Sequence, residues 1–229
     1  MIITSKKKVL IPLIFVHIPK SAGGSVKDYF DYSEANIPNK FKTGHKTIRE
    51  IKELISDRAN FRDYFKFVIF RNPWDRMLSN FNYRLSMVDQ TNDPYWKSIK
   101  KKNFSFNDWV KKLTNEVGIK ELEKHNSYFS YININDNIAV DYIINFHNLN
   151  EDFKLIKRIS KIRHNLKNNS KSSHKAKHKN FKHYYNSKSI DLVEKIHKKD
   201  IELFKFSFDN YKSANLKKYC SLNKLRGIL

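Results

Sequence analysis

The chain of 229 residues is long enough to bury roughly 70% of its unfolded surface in one sizeable core. Apolar residues make up 40% and aromatics 14%, which excludes wholesale disorder, and the single cysteine, Cys220, excludes a disulfide scaffold and a multi-cysteine zinc site. The net charge of +22 draws anionic ligands, but lysine outnumbers arginine 36 to 9, a bias a low-GC genome produces unaided, so charge alone assigns no function.

In chain order, Lys6-Lys7-Lys8 resembles the basic start of a signal peptide. No small-residue cleavage site follows it, and the next apolar stretch, 9–16, contains Pro12 and is far shorter than the roughly 20 residues of a membrane span. These features predict a cytoplasmic protein without a membrane span. Residues 9–18 read as a buried strand, and 25–32 as a helix through Val26, Tyr29 and Phe30. Thr47 and Glu50 have capping-box spacing and open an amphipathic helix through Ile48, Ile51, Leu54 and Ile55.

Residues 65–70 predict a second buried strand, and Pro73 suits the first turn of a helix running to about Met87 with Trp74, Leu78 and Phe81 toward the core. A third strand is expected over 141–146, followed by a helix over 151–162. Between 153 and 190 stand 12 Lys or Arg and no Asp or Glu, over half of the net charge. Within that segment 167–182 reads as a Lys-, Asn-, Ser- and His-rich loop, and 189–204 as a further helix through Ile190, Val193, Ile196, Ile201 and Phe204. Alternating strand and helix predicts an α/β fold, with a P-loop-like parallel sheet flanked by helices on both faces and a helical C-terminal part. Without repeats or a long linker, residues 1–229 are expected to form a single domain.

Two strand-to-helix junctions carry the chemistry. The first reads Phe15-Val-His-Ile-Pro-Lys-Ser-Ala-Gly-Gly-Ser25. Gly23 and Gly24 let the backbone approach a bound group, and the helix beginning near Ser25 turns its N–H groups toward the same place, as an anion cradle. A nucleotide-triphosphate loop carries its lysine after the glycines, whereas Lys20 precedes them here, which speaks against a kinase on a degenerate P-loop. At the second junction, Phe70-Arg71-Asn72-Pro73-Trp74-Asp75-Arg76-Met77-Leu78-Ser79, Arg71 leaves the strand end as a forked donor. Arg76, Ser79 and Tyr83 follow on one helical face as a second phosphate position. Ligands of open parallel sheets bind outside the carboxyl ends of strands, so two such junctions can serve one ligand with two phosphate groups. A basic nucleic-acid or polyanion binder is the alternative class, with the Lys/His-rich loop and Phe181, Tyr184 and Tyr185 as charge and stacking rings. His174 and His178 stand four apart, but without a neighbouring Cys or carboxylate they are poor metal ligands.

The motifs at 17–25 and 70–79 resemble, in order, the two donor-binding motifs of sulfotransferases that use 3′-phosphoadenosine 5′-phosphosulfate (PAPS), in particular the carbohydrate branch with short bacterial members. Gly44-His45-Lys46-Thr47, the stretch from Asp141 through Asn148 to Phe153, His164-Asn165, Tyr184-Tyr185 and Asp200 to Phe204 extend the similarity over 9–208. His147 departs from it, since those members commonly carry Glu before Asn-Leu. The resemblance implies transfer of a sulfuryl group from PAPS to a hydroxyl of a sugar or glycan, without a metal. It makes Lys20, Ser21, Ala22, Gly23, Gly24 and Ser25 the donor-binding turn, with Gly23, Gly24 and Ser25 around the 5′-phosphate and Lys20 at the bridging oxygen. Arg71 and Ser79 would hold the 3′-phosphate. His45 matches a position at which histidine can act as base, with His17 in reserve. Acceptor identity and oligomeric state stay open, and the paired motifs favour the enzyme over the nucleic-acid binder.

Overall fold

A computed structural model describes residues 1–4, 8–32, 44–55, 60–166, 180–209 and 216–226. The chain divides into two compact units of interleaved segments: a sheet unit of Met1–Phe70, Tyr128–Asn169 and Ala214–Leu229, and a helical unit of Arg71–Ser127 and Ser170–Ser213. The strands are β1 (Ile2–Ile3), β2 (Leu13–Val16), β3 (Phe65–Phe70), the hairpin pair β4 (Asn133–Ile134) and β5 (Asn137–Ile138), and β6 (Tyr142–Asn145). The helices are α1 (Gly23–Tyr29), α2 (Ile48–Ile55), α3 (Pro73–Thr91), α4 (Pro94–Lys101), α5 (Phe106–Val117), α6 (Ile119–Asn126), α7 (Tyr128–Ile132), α8 (Leu149–Asp152), α9 (Lys154–Ile159), α10 (Ser187–Ile196) and α11 (Lys198–Phe204).

In the sheet unit the strand order is β1-β2-β3-β6. β2, β3 and β6 are parallel, with Phe15 opposite Phe67 and Val68 opposite Ile143, so their carboxyl ends share one edge. The expected parallel sheet is therefore present. It gains an antiparallel edge strand, β1, which pairs Ile2 with Ile14 and which sequence reading missed. Every residue of β3 is buried because both sheet faces are covered. On one face Leu13, Phe15, Phe65, Phe67, Ile69 and Ile144 join Val26, Tyr29 and Phe30 of the α1 segment and Phe153, Ile156 and Ile159 in one core. Each such fully buried side chain contributes about 1.5–3 kcal/mol. On the other, Ile14, Val16, Val68 and Phe70 are equally sealed, and Phe70 stacks on Tyr128 of α7 with ring centroids 4.3 Å apart. α2 packs against α7. Its capping box forms as expected: Thr47 N–H donates to Glu50 Oε2 at 2.7 Å, and Glu50 N–H to Thr47 Oγ1 at 3.3 Å.

Lys66 is the polar exception within β3. Its ammonium donates to the Tyr64 carbonyl at 2.9 Å and pairs with Asp141 Oδ2 at 3.1 Å, where Lys224 also binds at 3.0 Å. Burial is the main cause that pushes the Lys66 amine down to about 8. The same carboxylate thus ties the segment 216–226 to β3. Ser221 N–H donates to the Asp141 carbonyl and Ile143 N–H to Cys220 Sγ, which covers the edge of β6.

Three predicted elements are shorter than their apolar patterns. Of 9–18 only Leu13–Val16 is strand, since Pro12 cannot donate to a ladder, and Val9 instead bridges Ser160. The helix expected over 151–162 is two pieces. Asp152 turns back to accept from Asn145 N–H at 2.9 Å and from Asn148 Nδ2 at 2.7 Å, and α9 stops where Ser160 becomes extended. Residues 189–204 are likewise two helices, broken at His197.

In the helical unit Asn72 caps α3: its Oδ1 accepts from the Trp74 and Asp75 N–H groups while Pro73 occupies the first turn. Trp74, Leu78 and Phe81 are buried as expected. The Phe81 ring packs among Trp96, Phe106 and Trp109 at 5.3–6.1 Å. α4, α5 and α6 were not read from the sequence. The break at His197 has a polar cause, for its Nδ1 meets Asp200 Oδ2 at 3.2 Å and Asp200 Oδ1 accepts from Ser127 Oγ at 2.9 Å. Most of the predicted loop, 167–179 with His174 and His178, lies outside the described residues, as do Lys6 and Lys7. No helix among the described residues is long and apolar enough to cross a membrane.

Candidate active site

The first motif forms the turn between β2 and α1 in the sheet unit. Lys20 and Ala22 both adopt left-handed backbone, with φ of 64° and 58°. Non-glycine residues there cost of order 1–3 kcal/mol each and persist only where the surroundings demand them. Between them Ser21 is fully buried, and its Oγ finds no hydrogen-bond partner among the described residues. α1 starts at Gly23, two residues earlier than expected.

The structure separates the roles of the two glycines. Gly24 is exposed, and a Cβ built on it meets nothing within 4 Å, so its backbone is open to an approaching group. Gly23 is buried, and a Cβ there would stand 1.6 Å from Nε2 of His17. The side of Gly23 on which a Cβ would stand is thus taken by a protein ring, whereas that of Gly24 is open.

His17 follows β2 and stacks on Phe15 with centroids 5.6 Å apart. Its Nδ1 is buried and has no partner among the described residues. Burial first, then the neighbouring His45 and Lys27, push the ring down to about 3, so it is neutral across the physiological range. Such a ring is a poor proton acceptor near neutral pH, which weighs against His17 as the reserve base.

His45 lies just before α2 and is exposed. Its ring stands 4.3 Å from that of His17, and its Nδ1 is 3.1 Å from the His17 carbonyl. A carbonyl only accepts, so Nδ1 carries the hydrogen, and it is Nε2 that holds the lone pair whenever the ring is neutral. His17 touches both His45 and Gly23, so its ring stands between the loop before α2 and the first turn of α1. Neither contact is legible from spacing, because residues 17, 23 and 45 meet only through the fold.

The second motif lies in the helical unit. Arg71 is the forked donor expected, but its fork is engaged: Nε and Nη2 bind Asp75 Oδ2 and Oδ1 at 2.7 and 2.8 Å. Sequence reading passed over Asp75, although its i,i+4 spacing from Arg71 is an ion-pair signal. Arg76 does not offer a second phosphate position, since it is buried and its Nη2 donates to the Asn126 carbonyl at the end of α6. Ser79 is buried on α3 at 8% exposure. Tyr185 donates to the Trp74 carbonyl at 2.7 Å, and burial, then Asp75, pushes its hydroxyl well above the ordinary value. His147 occupies a short turn after β6, where its N–H donates to Asn145 Oδ1.

Compared with known proteins, residues 2–207 match the family model described as "Sulfotransferase family". No curated protein and no solved structure matches the chain.

Proposed function

The chain belongs to the sulfotransferase family, and on that premise we propose that it moves a sulfuryl group from PAPS to a hydroxyl of a sugar or glycan. The observation that carries this reading is the β2–α1 turn, with its buried Ser21 Oγ and open Gly24, joined through His17 to His45, whose Nδ1 faces the His17 carbonyl.

Ser21, Ala22, Gly23, Gly24 and Ser25 form the turn that takes the donor's 5′-phosphate. A buried hydroxyl without a partner among the described residues and a backbone with no Cβ in the way fit an anionic group at that place. Lys20 supplies positive charge at the bridging oxygen, where the S–O bond to phosphate breaks and negative charge collects on the departing group. His45 accepts the acceptor hydroxyl's proton at Nε2 as the new O–S bond forms, and the His17 carbonyl then holds the cationic ring through Nδ1–H. Arg71 and Ser79 take the 3′-phosphate, with Asp75 fixing the plane of the guanidinium. The reading assigns no residue to a metal, uses 1–229 as one functional domain and places the enzyme in the cytoplasm.

Incubation with PAPS and a panel of polysaccharides, simple sugars and phenols, followed by mass spectrometry of the products, tests the acceptor class. Sulfation of sugar hydroxyls is the expected result. Faster sulfation of a phenol would replace the sugar by another class of hydroxyl.

A further inference from the structure

We propose that His17 is a positioning residue for the transfer reaction, its ring seated on Gly23 and against His45 so that the cradle's first turn and the base are held by one wedge. The inference rests on His45 being the base. Three contacts carry it: the ring occupies the place a Cβ at position 23 would need, it lies 4.3 Å from the His45 ring, and its own main-chain carbonyl takes the His45 Nδ1 hydrogen. The buried Nδ1 makes no hydrogen bond to any described residue, so that atom is not held for bonding within the fold. Phe15 closes the ring from the strand side. What the site uses is the ring's shape and its place in the fold.

Gly23 then depends on His17. Gly23→Ala drives a Cβ into the ring, and the overpacking is expected to lower Tm by about 5–10 °C, whereas Gly24→Ala, in the same turn with open space, lowers it by less than about 2 °C. His17→Ala removes the obstacle. The double variant His17→Ala/Gly23→Ala should therefore have the Tm of His17→Ala, a non-additive result that only direct contact produces.

The catalytic readout is a split between constants. His17→Ala should lower kcat by about 10- to 100-fold through misplacement of His45 and raise the donor KM by a smaller factor through the loosened turn, and His17→Phe, which restores a flat ring, should recover most of both losses. A readout independent of activity is the nitrogen NMR signature of His45: the Nδ1–H tautomer in the wild-type chain, and a tautomer mixture in His17→Ala. Additive Tm changes in the cycle, wild-type kcat in His17→Ala, or an unchanged His45 tautomer in that variant would each overturn the proposal. Absence of sulfuryl transfer from the wild-type chain would instead overturn the assigned reaction, while the Tm cycle and the tautomer still report on the wedge.

Discussion

Lys20→Ala is expected to lower kcat by about 10²–10³-fold, the usual consequence of removing one donor aimed at charge that develops in the transition state. The ground-state donor already carries its phosphate charges, so the loss should fall mainly on the step that breaks the S–O bond. Affinity for 3′-phosphoadenosine 5′-phosphate should weaken by less than about tenfold. Alanine and lysine meet the same left-handed backbone constraint at φ 64°, so the substitution tests the ammonium rather than the turn. Single-turnover kinetics with saturating donor separate the two effects. Full turnover with strongly weakened nucleotide binding would make Lys20 a ground-state phosphate ligand instead.

Asp75→Ala should destabilise the fold by about 3 kcal/mol. It removes both bonds that the carboxylate, itself 7% exposed, makes to the Arg71 guanidinium, whose side chain is only 13% exposed. Arg71→Leu/Asp75→Leu should cost much less, because both charges leave together. Urea unfolding of the three variants supplies the cycle. A loss below about 1 kcal/mol in Asp75→Ala would mean that Arg71 is held by other partners, and that its orientation does not depend on this carboxylate. Should Asp75→Asn keep the fold, its donor should be discriminated less sharply from one lacking the 3′-phosphate, since one fixed bond to the fork is lost.

Where a segment's sequence determines its own structure, that structure was legible. β3 matched residue for residue because a run buried on both faces has no competing period, and Asn72-Pro73 and Thr47 with Glu50 placed helix starts through their own side chains. α4 and α5 carry equally local signals, Asp93 before Pro94 and Ser105 with Asp108, whose side chains cap the two helices. β1 was not legible, for two isoleucines form a strand only because β2 offers them an edge. The helix pairs broken near 153 and at His197 kept their apolar spacing across the break, while the Asp152 side chain turned back to the end of β6 and that of Asp200 to Ser127, far off in sequence. At the site, the residue types of the donor turn could be read, but not their division of labour. That Gly23 faces His17 and Gly24 faces open space, and that His45 is held through its Nδ1, depends on the strand end and the loop before α2 meeting.

The most direct test of the account is a thermal-shift comparison of 3′-phosphoadenosine 5′-phosphate with ATP and magnesium on the full chain. At a hundredfold excess over its Kd the 3′-phosphorylated nucleotide should stabilise the fold by about 2.7 kcal/mol, a rise in Tm on the order of 5–10 °C, and ATP should do much less. A shift with ATP equal to or larger than that with 3′-phosphoadenosine 5′-phosphate would contradict the account.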